Sequence, residues 1–197
     1  MLLKKIDNKL PNNSLTLSHT LFQRYGTNNI TIRKWNETMS NNINVMGIHS
    51  VLFVCMGNIC RSPSAEAVFR HKMQAKGLAL KIDSAGTVGA HAKQKPDHRA
   101  QKAGVARGYS FAGMKARKVT VQDFTDFDLI LAMDYDNIEA LKKVAPPAMQ
   151  DKIKLMLDFA TEHEEDQVPD PYYGGARGFD YVLDLVEAAS DGLLDKM

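Results

Sequence analysis

Cysteine is nearly absent from this 197-residue chain, which holds two, Cys55 and Cys60. A small secreted domain stapled by disulfides would spread more of them along its length. A four-ligand zinc site would need more thiols or a nearby set of histidines. Two cysteines five residues apart suit a reducing, cytoplasmic compartment instead. Long apolar runs are missing as well: none approaches the roughly 18–20 residues that cross a bilayer. Leu2 and Leu3 are followed at once by Lys4 and Lys5, not by the apolar centre of a secretory signal. Nor is there charge of one sign, since the formal net charge of +2 leaves no electrostatic footprint for nucleic acid. That small excess is uneven. Residues 1–45 hold Lys4, Lys5, Lys9, Arg24, Arg33 and Lys34 against Asp7 and Glu37, a net +4, so the remainder is −2. What is present is ordinary for a soluble globular protein: 44% hydrophobic and 24% charged residues. The length suits one α/β domain and is short for two.

Residues 1–47 are dense in asparagine and weakly apolar, and such sequence cannot bury enough surface to offset its ordering entropy. They are expected to form a disordered N-terminal extension, with a start at Met46 or a transit peptide as alternatives. From residue 48 to 197 strands and helices alternate. Ser50–Val54 is a continuous apolar run suited to a strand buried on both faces. Ser62-Pro63 reads as cap and first residue of a helix, with Glu66 in its first turn, an apolar stripe of Ala65, Val68, Phe69 and Met73, and Gly77 just past its end. Leu80–Ser84, Asp128–Met133 and Lys152–Leu157 read as three further strands. Helices are expected from Pro96-Asp97 to a stop at Gly104, from a cap at Asp134 to Val144, and over Phe179–Leu194, with Thr120 capping a short turn near Val121–Phe124. The alternation predicts a single-domain α/β three-layer sandwich, a four-stranded parallel sheet with helices on both faces.

The chemistry is concentrated in Cys55-Met-Gly-Asn-Ile-Cys-Arg61-Ser62, between the first strand and the first helix. Open α/β sheets bind ligands at the carboxyl ends of their strands, and a helix N-terminus favours an anion. Gly57 and Asn58 tolerate left-handed backbone, letting successive amides turn inward as a nest. Arg61 offers a planar fork matched to two phosphate oxygens. The same field favours a thiolate at Cys55, and Ser62 can donate to its sulfur. Cys, five residues, Arg therefore describes a phosphate-binding loop with a built-in nucleophile. Asp170, in a Gly/Pro-rich loop after the fourth strand, can supply a proton to a leaving group. The six histidines have no metal-ligand spacing and are expected at the surface, His71 on the outer face of the first helix and His163 beside the acidic run Glu162–Asp166. That run reads most simply as a solvated loop.

Val51-Leu-Phe-Val-Cys-Met-Gly-Asn-Ile-Cys-Arg-Ser-Pro-Ser-Ala-Glu-Ala-Val-Phe69 resembles the signature of the low-molecular-weight protein-tyrosine phosphatases. Asp83-Ser-Ala-Gly-Thr87, Ala132-Met-Asp134 with Asn137, and Val168-Pro-Asp-Pro-Tyr-Tyr-Gly174 resemble further family segments, over about residues 48–197. The resemblance implies a phosphoric monoester hydrolase acting on phosphotyrosine and small aryl phosphates. Cys55 would be the nucleophile, Arg61 the phosphate binder and Asp170 the general acid and base. The amides of Met56, Gly57, Asn58, Ile59, Cys60 and Arg61 would cradle phosphate, with Ser62 at the sulfur. Tyr172 and Tyr173 would line an aromatic entrance, and Ser84 would fix the strained backbone of Asn58. It implies no metal or other cofactor, a tyrosine-phosphorylated protein as substrate, a tyrosine kinase as a partner, and neither nucleic acid nor membrane. For Cys60 two readings stand: packing beneath the loop, or the family's reversible disulfide with Cys55.

Three positions depart from, or discriminate within, the family. Ile59 stands where relatives similar to arginine phosphatases have Thr, which points to phosphotyrosine. Ala90 stands where many relatives carry an aromatic residue, leaving one pocket wall open unless His91 substitutes. Met114 stands where many have His. Two rivals differ in chemistry. A thioredoxin-coupled arsenate reductase would need cysteines beyond Cys60, and none follows. A non-catalytic phosphotyrosine-binding module would be expected to lose Cys55, Arg61 or Asp170.

Overall fold

The structure, a computed structural model, describes residues 47–161 and 163–197. The expectation for the Asn-rich extension falls outside them but for Gly47. Strand β1 (Ser50–Cys55) leads into helix α1 (Arg61–Ala75), β2 (Lys81–Gly86) and α2 (His98–Ala106). A short α3 (Asp123–Asp126), β3 (Leu129–Ala132), α4 (Tyr135–Lys142), β4 (Ile153–Leu155) and α5 (Gly175–Leu194) follow. Single 3-10 turns at Pro147–Lys152 and Met156–Phe159 flank β4.

The four strands form one sheet in the order β2-β1-β3-β4, and every neighbouring pair is parallel. Its two faces separate by the period-two alternation of strand side chains. Val51, Phe53, Leu129 and Leu131 pack with Phe69 of α1 and Val186 of α5. Leu52, Val54, Ile130 and Ala132 pack with Phe124 of α3 and Leu141 of α4. Burial on both sides explains the unbroken apolar run of β1, where each buried Leu or Phe contributes about 1.5–3 kcal/mol. The expected three-layer α/β sandwich is present. β1 pairs with β2 on one side and β3 on the other, so the carboxyl end of β1 is a topological switch point where a crevice opens.

Element boundaries differ from expectation in instructive ways. Helix α1 begins at Arg61 with Cys60 as N-cap residue and no capping side chain, so Ser62 is not the cap, Pro63 is the third helical residue and Glu66 lies beyond the first turn. The Ser62 hydroxyl is instead turned to Cys55 Sγ, 3.1 Å away. The other end of α1 is as expected: Gly77 has φ 69. Its amide donates to Gln74 O and the Leu78 amide to Met73 O, both at 3.0 Å, a Schellman closure. Gly104 does not stop α2, which runs to Ala106 and is followed by Gly108 at φ 87. Thr120 stands at the head of the short turn, its O accepting from the Asp123 amide at 3.2 Å, while its amide and hydroxyl donate to Asp123 Oδ2 at 2.7 and 3.1 Å and α3 starts at Asp123. Asp134 does cap α4, accepting from the Asn137 amide at 2.6 Å. The second and fourth strands shift or shorten relative to expectation, α4 stops two residues early, and α5 starts earlier. No helix among the described residues is long and apolar enough to cross a membrane.

Candidate active site

The loop from Cys55 to Arg61 closes the carboxyl end of β1 and passes its backbone directly into α1. β2 grips its start: the Thr87 amide donates to Cys55 O and the Val88 amide to Met56 O, both at 2.9 Å. Such close contact needs Gly86, because a Cβ there would sit 2.7 Å from Met56 O. The Asp97 amide holds the far side through Ile59 O at 2.7 Å. Asn58 occupies the left-handed region at φ 55, as its residue type allows. Its amide donates to Cys55 Sγ at 3.3 Å.

The Asn58 side chain is the hub of a buried hydrogen-bond chain. Nδ2 donates to Ser62 Oγ at 3.0 Å and to Ser84 Oγ at 2.9 Å, while Oδ1 accepts from the Arg117 amide at 2.9 Å. Ser84 in turn donates to Glu66 Oε2 at 2.7 Å. Ser62 Oγ lies 3.1 Å from Cys55 Sγ. The supporting role expected of Ser84 therefore has the geometry it needs. Glu66 is buried and also accepts from Arg70. Burial pushes the Glu66 carboxyl up, against the opposing hydrogen bonds of Ser84 and Arg70. A cavity of about 420 Å³ lies behind this chain, with Met114 in its lining beside Glu66 and Arg70.

Arg61, 3% exposed, projects from the first turn of α1 across the loop mouth. One nitrogen donates to Asp134 Oδ2 and to Val168 O, the latter at 3.1 Å; the other reaches Asp170 Oδ2 at 3.1 Å. Burial works against the Arg61 charge, but Cys55, Asp134 and Asp170 keep its pKa raised. Asp170 is 41% exposed at its side chain, and Oδ1 accepts from the Tyr172 amide at 3.0 Å, the turn geometry expected of Asp before Pro. Asp170, distant in sequence, thus meets Arg61 of the Cys55 loop at this one end of the sheet.

Tyr172 and Tyr173 stand edge to face, centroids 4.9 Å apart, and Tyr173 is 94% exposed. Arg99 stacks over Tyr172 and donates to its carbonyl at 3.0 Å. Ala90 is exposed, and His91 stands against the loop, where a Cβ on Gly57 would lie 3.1 Å from its Cδ2. Cys60 is buried in a small cluster with Ala100 and Phe179. Burial, aided by Asp97, pushes its thiol up to about 12, and both cysteines are free. The described histidines are exposed or half-buried, His71 among the exposed.

Four residues of the site were not singled out for their present roles. Asp134 was read as a helix cap, yet its second oxygen holds Arg61. Its place at the carboxyl edge of β3, next to β1, was the available signal. Arg99 and Arg117 carry no motif, Glu66 lies in the signature segment with no role assigned to it, and only the fold brings the three in.

The family model for low molecular weight phosphotyrosine protein phosphatase matches residues 50–197. The chain is 46% identical over 147 residues to a low molecular weight protein-tyrosine-phosphatase of Bacillus subtilis, covering 74% of this chain and 93% of that one. It is 41% identical over 147 residues to the low molecular weight phosphotyrosine protein phosphatase of Schizosaccharomyces pombe, covering 73% and 94%. Among solved structures, a protein tyrosine phosphatase from Entamoeba histolytica, with Hepes in its active site, superposes with a TM-score of 0.72 at 45% identity, covering 75% of this chain and 95% of that one.

Proposed function

The chain belongs to the low molecular weight phosphotyrosine protein phosphatase family and is a hydrolase of that class, and we propose that Cys55 is its nucleophile, Arg61 its phosphate clamp and Asp170 its general acid and base. The observation that supports these roles is the meeting of the three at the carboxyl end of β1, with Arg61 bridging to Asp170 at 3.1 Å. A phosphotyrosyl group enters past Tyr172 and Tyr173, and its oxygens take the Arg61 fork and the inward amides of Met56 to Arg61.

Cys55 Sγ attacks phosphorus in line, the P–O bond to the tyrosyl ring breaks, and Asp170 gives its proton to the departing oxygen. The product is a cysteinyl-phosphate. Asp170, now a carboxylate, takes a proton from water as that water attacks phosphorus. Inorganic phosphate leaves, and Ser62 Oγ donates to the released sulfur from 3.1 Å. Arg61 and the helix N-terminus neutralise the charge that gathers on the equatorial oxygens. Residues 48–197 form the catalytic domain, the compartment is the cytoplasm, and a tyrosine kinase is the opposing partner.

The test is phosphate release from p-nitrophenyl phosphate and a phosphotyrosine peptide, with EDTA and a thiol reductant. Release should persist in EDTA and vanish in Cys55→Ser. Asp170→Ala should lower turnover by ~10²–10⁴. Near wild-type turnover in Asp170→Ala removes that residue from the mechanism, and no release by the reduced wild type overturns the whole assignment.

A further inference from the structure

Asp170 stands between the 3-10 turn that ends at Phe159 and the start of α5 at Gly175, a stretch with neither helix nor strand among the described residues. A general acid must come within about 2.6–3.2 Å of the leaving oxygen, and a misplacement of about 1 Å can cost roughly 10²-fold. Such a loop has to be held. The Asp170 carboxylate itself bonds to Arg61 at 3.1 Å and to the Tyr172 amide at 3.0 Å. The next anchor upstream is buried Val168, whose amide donates to Met133 O at 2.8 Å and whose carbonyl accepts from Arg61 at 3.1 Å.

Before Val168, Glu165 and Asp166 are exposed, as in a solvated loop, yet they are tied to two helices. Tyr135, the first residue of α4, donates through its hydroxyl to Asp166 Oδ2 at 3.1 Å. Its amide, one of those a helix start leaves open, donates to Gln167 Oε1 at 2.9 Å. Tyr181 of α5 donates through its hydroxyl to Glu165. Tyr135 is 49% and Tyr181 37% exposed, so neither is a core residue, and what each brings to the loop is its hydroxyl. Burial and the Asp166 charge raise the Tyr135 phenol, and the bond to Glu165 pushes that of Tyr181 up to about 12. Both therefore stay donors through neutral pH. From Gln167 the arm to Asp170 is short and stiff. Pro169 and Pro171 fix their own φ and bias Val168 and Asp170, which precede them, to extended backbone. A shift at the tethers therefore reaches the Asp170 carboxyl. The start of α4 also carries Asp134, which holds Arg61, so one helix end steadies both the phosphate clamp and the acid's arm.

Resting on the assignment of Asp170 as general acid above, we propose that Tyr135 and Tyr181 are positioning residues for it, their hydroxyls pinning Asp166 and Glu165 so that the Asp170 carboxyl is held where the tyrosyl oxygen departs. Neither belongs to the phosphate loop, and both act through the arm. The need for them then scales with the leaving group's need for a proton. A phenol such as tyrosine has a pKa of ~10, so its anion leaves poorly unprotonated, whereas p-nitrophenolate leaves readily. Loss of a tether falls mainly on phosphotyrosine and phenyl phosphate and largely spares p-nitrophenyl phosphate.

The experiment measures kcat/KM, which reports formation of the cysteinyl-phosphate, on phenyl phosphate and on p-nitrophenyl phosphate. Wild type is compared with Tyr135→Phe, Tyr181→Phe and the double variant. The readout is the ratio of the two values, because a general loosening of the fold lowers both alike. Each single variant should lower the phenyl phosphate value by roughly three- to tenfold and the p-nitrophenyl phosphate value by a smaller factor, and the double variant should shift the ratio further. Glu165→Ala and Asp166→Ala delete the same bonds from exposed positions and should shift the ratio in the same direction, which keeps the test intact should a Phe variant fail to fold. Combined with Asp170→Ala, none of these substitutions should move the ratio again. A ratio unchanged in the double variant and in both Ala variants overturns the positioning role. So does a shift that persists undiminished beside Asp170→Ala. Should Asp170→Ala alone leave the wild-type ratio in place, the general-acid premise itself falls, a distinct result.

Discussion

Asn58 shows how much one side chain holds at the residue scale. Its left-handed backbone turns an amide to Cys55 Sγ, and its side chain ties the loop to Ser62, Ser84 and the Arg117 amide. Asn58→Ala keeps an L side chain at φ 55, costing about 1–2 kcal/mol in strain, and leaves Ser62, Ser84 and the Arg117 amide with open valences. We expect a Tm lower by several degrees and a turnover on p-nitrophenyl phosphate reduced by roughly 10–100-fold. Asn58→Gly relieves the strain without restoring the bonds, so it should recover Tm more than turnover. Full turnover in the glycine variant would show that the side-chain bonds do not position the nucleophile. Cys55, Arg61 and Asp170 were legible as a candidate site because few residue types perform nucleophilic attack, phosphate clamping or proton delivery. The Glu66 and Arg99 contacts were not, because a buried carboxylate or a stacked guanidinium leaves no mark on its own sequence neighbourhood. Asp134 lay between: visible as a cap, while its bond to Arg61 depends on β3 lying beside β1.

Elements were legible where a local rule and the tertiary packing agree. Gly77 ends α1 because the left-handed closure there is a local demand. Gly104 looked the same and is not: a Cβ at that position would lie 2.5 Å from the Phe111 ring, so its smallness serves packing within a continuing helix. The start of α1 was misplaced for a related reason, since Ser62 serves the sulfur rather than the helix. Gly192 is the strongest case, and it lies inside α5. A Cβ there would sit 1.9 Å from Phe159 O, a backbone atom in the 3-10 turn after β4, which cannot swing aside. Helix propensity alone would make Gly192→Ala stabilising by about 1 kcal/mol. The clash dominates, because α5 closes one face of the core through Val182, Leu185, Val186 and Ala189 and must move as a unit. We expect a loss of roughly 2–4 kcal/mol, read from denaturant midpoints at unchanged m-value. A stability gain would mean that α5 docks more loosely than this contact implies.

At the scale of the whole molecule the sheet order does the assembling. A strand paired on both sides puts its carboxyl end within reach of its neighbours: β2 itself supplies Ser84, and the loops after β3 and β4 supply Asp134 and Asp170 to the Cys55 loop. Alternating β and α patterns made the parallel sheet legible, but the pairing order that seats Arg61 between two carboxylates is a non-local property. The family match over residues 50–197, and relatives of which 93–94% is covered by 147 matched residues, place complete phosphatases in the length of the C-terminal part alone. A domain of that size with its own two-faced core can fold by itself. A chain beginning at Met46 should therefore keep its Tm within a few degrees and its kcat/KM on p-nitrophenyl phosphate within about twofold of the full chain. A tenfold or greater fall on p-nitrophenyl phosphate would instead place part of residues 1–45 in the catalytic domain and move its boundary.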